Sequence, residues 1–186
     1  MRDIIRAMPG HIHYAVDHAS PGTRRAKKQH ERILVCGMGG SGISGNLLQV
    51  LYPSLDIMVN KDYSIPRHID RRTLAVIISY SGNTEETLSN YRQLSQRRID
   101  RVVISSGGTL LKKAADTKVM VPAGLPPRGA LGHLFTPLPF ILYHYRMITK
   151  DPRKELSALG RFLAKHTACL LYTSSEPTRP VGISRM

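Results

Sequence analysis

The sequence predicts an α/β fold: a three-layer αβα sandwich on a five-stranded parallel sheet. Three observations carry that prediction. Five short apolar runs fall between positions 32 and 122. Segments of helical period separate them, and strands alternating with helices imply βαβ crossovers. One of them, "TLAVIIS", is apolar throughout, as befits a strand covered on both faces.

The elements follow in order. The first thirty residues read as a leading helical segment, interrupted near "SPGT". "RILVCG" (Arg32 to Gly37) reads as a buried strand, and "SGISGNLLQVLY" as a helix with Ile43, Leu47, Leu48 and Leu51 on one side. "DIMVN" and "TLAVIIS" are the next two strands. "NTEETLSNYRQLSQR" is an amphipathic helix with apolar Leu88, Tyr91 and Leu94. "RVVISS" is the fourth strand, "TLLKKAAD" a short helix and "KVMVP" the fifth strand. Then comes a Gly/Pro-rich loop, "AGLPPRGALGHLF". Pro137 and Pro139 break or kink any helix that follows. The last helix starts at Asp151, placed as N-cap, with Pro152 in the first turn.

The 186 residues suffice for one domain with a real core. No apolar run approaches the ~20 residues of a membrane span, and the N-terminus lacks the pattern of a signal peptide. Only two cysteines are present, and Cys36 falls in a strand. A reduced, inert thiol and a cytoplasmic location are the expectation. Lys plus Arg number 27 against 13 acids, a net charge of +14. The bases are scattered, which suits solvated helix faces. They favour an anionic ligand, but no nucleic-acid-binding module is recognisable, so neither a nucleic-acid nor a membrane partner is expected.

Ligands in parallel sheets sit beyond the carboxyl ends of the strands. Two loops there carry chemistry. "GMGGSGISG" (Gly37 to Gly45) lacks the Lys-Ser or Lys-Thr of a P-loop. Gly37, Gly39 and Gly42 do match the dinucleotide pattern G-x-G-x-x-G. That pattern wants an acidic residue at the end of the next strand, where Asn60 and Lys61 stand; Asp62 and Asp56 are poorly placed. A tight turn with glycines for packing is the plainer reading. The second loop is "SYSGNTEETL". Ser79, Ser81 and Thr84 put short hydroxyl donors at a helix N-terminus, where free N–H groups and the helix dipole already favour an anion. Asn83 or Thr84 could instead cap the helix, with Glu85 and Glu86 serving its dipole. One cap leaves Ser79, Ser81 and Gly82 unexplained, so the loop reads as a phosphate cradle.

Together "GMGGSGISGNLL", "DYSIP", "SYSGNTEETL", "ISSGG" and "LPPRGALGHLF" resemble, in order and approximate spacing, the N-terminal half of the bifunctional phosphoglucose/phosphomannose isomerases. The resemblance runs from roughly Met8 to Tyr143 and implies a flavodoxin-like sugar isomerase (SIS) domain. It implies that Ser79, Ser81 and Thr84 hold a sugar phosphate, that Gly40 and Ser41 border the sugar, and that Arg128 is the catalytic arginine beside the reacting carbons. The implied reaction interconverts glucose 6-phosphate or mannose 6-phosphate with fructose 6-phosphate, with no metal or other cofactor, in a homodimer. In that family a glutamate of a second SIS domain moves the proton, and a histidine enters from across the dimer; the sequence ends before either. His133 stands where the family commonly has an aromatic residue. His11 and His13 lack partners in register for a metal and read as solvated surface.

The expected organisation is therefore a helical segment over 1–30, an SIS domain over 31–150, a helix over 151–168 leading toward a second SIS domain, and a non-native tail over 169–186. The tail, "CLLYTSSEPTRPVGISRM", shows no periodicity and resembles a translated sequencing adapter. Two alternatives stay open: a stand-alone phosphosugar-binding regulatory module, and a dinucleotide-binding oxidoreductase.

Overall fold

The computed structural model describes residues 2–18, 30–114 and 117–173. Among these, five strands form one sheet: β1 (Arg32–Cys36), β2 (Asp56–Asn60), β3 (Thr73–Ile78), β4 (Asp100–Ser105) and β5 (Thr117–Met120). They lie in the order β2-β1-β3-β4-β5, and every neighbouring pair is parallel. The register is continuous, with Val35 beside Val59 and Val76. The five predicted strands coincide with these within one or two residues.

Among the described residues, seven α-helices accompany the sheet: α1 (Arg2–His18), α2 (Gly39–Leu51), α3 (Glu85–Gln96), α4 (Gly108–Lys113), α5 (Leu131–Phe135), α6 (Pro137–His144) and α7 (Arg153–Thr173). Successive strand residues point to opposite faces. Ile33, Val35, Leu74, Val76 and Ile78 thus meet residues of α1, α2, α5, α6 and α7 in one core. Leu34, Cys36, Ala75, Ile77 and Val103 meet α3 and α4 in the other. The three layers follow directly from this alternation. All six residues of β3 are buried, which is why its sequence shows no polar face.

α2 is turned differently from its predicted apolar side. Ser41, Gly42, Ser44, Gly45 and Leu48 are its buried residues, while Ile43, Leu47, Val50 and Leu51 are exposed. The cause is close approach. A Cβ on Gly45 would lie 2.9 Å from both Val35 Cγ1 and Val59 Cγ2. Only a face of small residues lets the helix sit that near β1 and β2, so the larger residues turn outward.

Pro9 lies inside α1, but Pro137 and Pro139 act as their chemistry dictates. Thr136 separates α5 from α6, and Pro137 occupies the first turn of α6. Pro139 is two residues further on, still where the N–H has no intrahelical partner. At α7, Arg153 N–H donates to Asp151 Oδ1 at 2.9 Å, so the predicted cap is in place. α7 continues to Thr173, five residues beyond the expected boundary at 168. Residues 174–186 and the "SPGT" interruption lie outside the described residues.

α1 packs on α5 and α7. The His11 ring stacks on His133 with centroids 4.4 Å apart, and Tyr14 meets His133 edge-on. His11 is therefore half-buried, not the solvated surface expected; His13 is exposed, with its ring against Gly160. Burial, reinforced by the neighbouring His11, holds the His133 imidazole down to about 4.

Two outcomes are expected. Gly45→Val should lower the unfolding free energy by about 1–3 kcal/mol through overpacking, whereas Val50→Lys on the outward face should change it by less than about 0.5 kcal/mol; urea midpoints distinguish the two. His133 is depressed in the fold relative to an ordinary value of 6.5, so the unfolded chain takes up the proton first. Stability should fall as pH drops from about 6.5 toward 4, and His133→Phe should flatten that slope in urea melts at about pH 7 and about pH 4.5.

Candidate functional site

The chain order reverses between β1 and β3: from β1 it goes outward to β2, then returns to β3 on the other side. Loops after β1 and β3 consequently splay apart and leave a crevice at the carboxyl edge of the sheet. Both loops singled out from the sequence leave the sheet at this point.

The first loop lies against both of its neighbours. A Cβ on Gly37 would stand 3.1 Å from Ile78 O, the last carbonyl of β3. A Cβ on Gly40 would stand 3.3 Å from Pro127 O and 3.8 Å from Arg128 Cα. Gly40 and Ser41 thus lie between the end of β3 and the 3-10 turn Pro127–Ala130 that carries Arg128. Ser41 is buried. Arg128 is exposed, and its guanidinium has no hydrogen-bond or ion-pair partner among the described residues. α1 supports this turn from behind, since Ile4 packs on Gly129.

The second loop is tightly wound. Ser79 Oγ accepts from Gly82 N–H at 3.1 Å and pairs with Thr84 Oγ1 at 2.9 Å. Ser81 Oγ accepts from Asn83 N–H at 3.3 Å and is exposed. Thr84 is the cap residue of α3, yet its hydroxyl makes no capping bond. Asn83 makes none either; its Oδ1 accepts from Thr109 N–H at 2.9 Å, across to α4. Capping therefore does not account for the hydroxyls. Gly82 has a packing reason of its own. Its φ is +70°, and a Cβ there would collide with Gly107 O.

Other candidates stand apart from this edge or are already engaged. Glu85 Oε2 accepts from Tyr63 O–H at 3.3 Å. Glu86 and Glu85 together push the Tyr63 phenol up. His133 is buried against α1. No group of three His, Cys, Asp or Glu that could hold a metal occurs among the described residues. Cys36 is buried, and desolvation pushes its thiol up to about 12. A cleft of about 590 Å³ lies elsewhere, near the start of α7. Its two charged wall residues, Lys150 and Glu155, are paired with each other.

Glycines of the first loop serve close packing. Gly42 and Gly45 are taken up by packing: a Cβ on Gly42 would lie 2.7 Å from Gly37 O. At the end of β2, Lys61 Nζ donates to Asn46 Oδ1 at 2.7 Å. Asp62 Oδ1 accepts from the Tyr63 N–H of its own turn. Asp62 is the carboxylate beside this position, turned to that backbone group.

Sequence reasoning missed the polar links behind the loops. Asn60 Nδ2 is buried within 3.2 Å of Asn90 Oδ1 and also reaches Asp62 O. Gln93 Nε2 donates to Tyr63 O at 2.7 Å. These amides pin residues 61–65 to α3. Ser106 Oγ donates to Tyr80 O at 2.6 Å, tying the loop after β4 to the hydroxyl loop. The hydroxyl–glycine run "ISSGG" was the available signal for the last of these.

The SIS domain family matches residues 27–127. The bifunctional phosphoglucose/phosphomannose isomerase of Thermoplasma volcanium is 40% identical over 110 residues, which cover 59% of this chain and 36% of that protein. The D-glucosamine-6-phosphate 4-epimerase of Sulfolobus acidocaldarius is 31% identical over 132 residues, covering 69% and 41%. The chain thus spans little more than a third of the length of these relatives. Among solved structures, the C-terminal domain of glucosamine-fructose-6-phosphate aminotransferase from Francisella tularensis superposes with a TM-score of 0.65 at 17% identity, over 90% of this chain and 53% of that one. With the doubly wound sheet, the two loops at its reversal point and the family match over the same residues, the chain belongs to the SIS domain family.

Proposed function

We propose that this chain is the phosphosugar-binding part of an aldose–ketose isomerase that interconverts glucose 6-phosphate or mannose 6-phosphate with fructose 6-phosphate. The observation that carries the reading is the meeting of three segments at one sheet edge: the glycine loop, the hydroxyl loop and the Arg128 turn. Ser79, Ser81 and Thr84 would hold the phosphate at the uncapped N-terminus of α3. Gly40 and Ser41 would border the sugar. The unpaired guanidinium of Arg128 would stabilise the enediolate as a proton moves between C1 and C2.

The base for that proton lies outside this part. Glu85 is engaged by Tyr63 and His133 by His11, so neither is assigned the task. In the complete protein we assign the base to a further domain, and a homodimer and a cytoplasmic setting follow from the same reading. The engagement of both candidates also favours a second reading, a phosphosugar-binding regulatory module without catalysis. Isomerisation by the full gene product supports the first reading; sugar-phosphate binding with no turnover supports the second. A preference for NAD over fructose 6-phosphate in parallel titrations would overturn both.

Ser81→Ala combined with Thr84→Ala should weaken fructose 6-phosphate binding while leaving the melting temperature nearly unchanged. Each lost bond to a charged group is worth roughly 1.5–3 kcal/mol, about tenfold or more in Kd. Calorimetric titration checks this, and an unchanged affinity refutes the phosphate assignment.

A further inference from the structure

Tyr80 stands between Ser79 and Ser81, yet its side chain points away from the hydroxyl cluster and is buried in the core, 7% exposed. Its hydroxyl donates to Pro122 O at 3.0 Å and accepts from Leu125 N–H at 2.9 Å. It therefore bridges both ends of the turn at Gly124, whose φ is +96°. Three residues after Leu125 comes Arg128. The two residues between are Pro126 and Pro127, whose rings fix φ and leave little freedom to absorb a displacement. Gly129 N–H closes back on Pro126 O at 2.8 Å. On its main-chain side, Tyr80 O accepts from Ser106 N–H at 3.1 Å and from Ser106 Oγ at 2.6 Å.

We propose that Tyr80 is a positioning residue: its hydroxyl, acting through Leu125 and the Pro126–Pro127 pair, sets Arg128 at a fixed place relative to the phosphate cradle. The inference rests on the phosphosugar reading above and deepens it. One residue of the cradle loop reaches the arginine turn through the core, so its hydroxyl, beside the Gly40 and Ile4 contacts of that turn, sets the distance from phosphate to guanidinium. A ligand that spans both groups should sense the hydroxyl. A ligand that touches only the cradle should not.

The test uses the whole 186-residue chain and two probes, inorganic phosphate and 5-phospho-D-arabinonate, whose carboxylate stands in for the enediolate oxygens. Tyr80→Phe is expected to weaken the aldonate phosphate about tenfold, or 1.4 kcal/mol, and to leave inorganic phosphate within about twofold. Tyr80→Phe with Arg128→Ala should bind the aldonate phosphate no more weakly than Arg128→Ala alone. Equal loss for both probes, no loss for either, or additive losses in the double variant overturns the proposal. A wild-type chain that binds neither probe overturns the phosphosugar reading and the proposal with it. If Tyr80→Phe fails to fold, amide exchange on the wild-type chain decides. The Leu125 amide should be protected and slowed further by the aldonate phosphate; exchange at the free rate overturns the inference.

Discussion

Main-chain crowding at the carboxyl edge of the sheet is the constraint on which the rest depends. The loops leaving β1, β3 and β4 touch backbone to backbone. Gly82 meets the Gly107 carbonyl, and Gly108, at φ +72°, meets the carbonyl of Ser81. Gly37 and Gly40 lie against Ile78 and Pro127. A Cβ at Gly82 or Gly108 has no room there, and the loops are held by backbone contact and by hydrogen bonds such as Thr109 N–H to Asn83 Oδ1 and Ser106 Oγ to Tyr80 O. The same crowding leaves peptide N–H groups and short hydroxyls as the donors at this edge, which is the chemistry a phosphate ester meets best.

Much of the fold was legible because β3 and its neighbours are buried on both faces, and consecutive apolar residues have few other uses. The hydroxyl loop was legible for a related reason: Ser79, Ser81 and Thr84 crowd a point where a helix requires at most one such residue. The orientation of α2 was not legible. Its apolar residues have helical spacing, and periodicity alone marks the side carrying Leu47 and Leu51 as the buried one. What decides the matter is volume, since Gly45 must approach Val35 and Val59, and volume acts between segments distant in sequence. His11 was misplaced for the same reason. A histidine on a leading helix reads as solvated until a second ring, His133, is brought beneath it from over a hundred residues away.

The long-range polar contacts were equally hidden. Asn60 reaching Asn90, Gln93 reaching Tyr63 and Tyr80 reaching Pro122 and Leu125 each join two segments through a side chain and, most often, a main-chain group. A backbone carbonyl or amide leaves no mark on the sequence, so such a bond shows only one of its partners. Their common effect is to fix loops that the sheet itself does not reach.

Arg128 has one more consequence. It is exposed and has no partner among the described residues, in a chain of net charge +14; the first turn of α2 carries no acid, while that of α3 carries Glu85 and Glu86. On the proposed reading, a doubly charged phosphate ester approaching from bulk water would be drawn toward Arg128 before any hydrogen bond forms. Ionic strength would then act chiefly on how often that ligand arrives, through screening over about 10 Å, while the hydroxyls and the peptide donors would govern how long it stays.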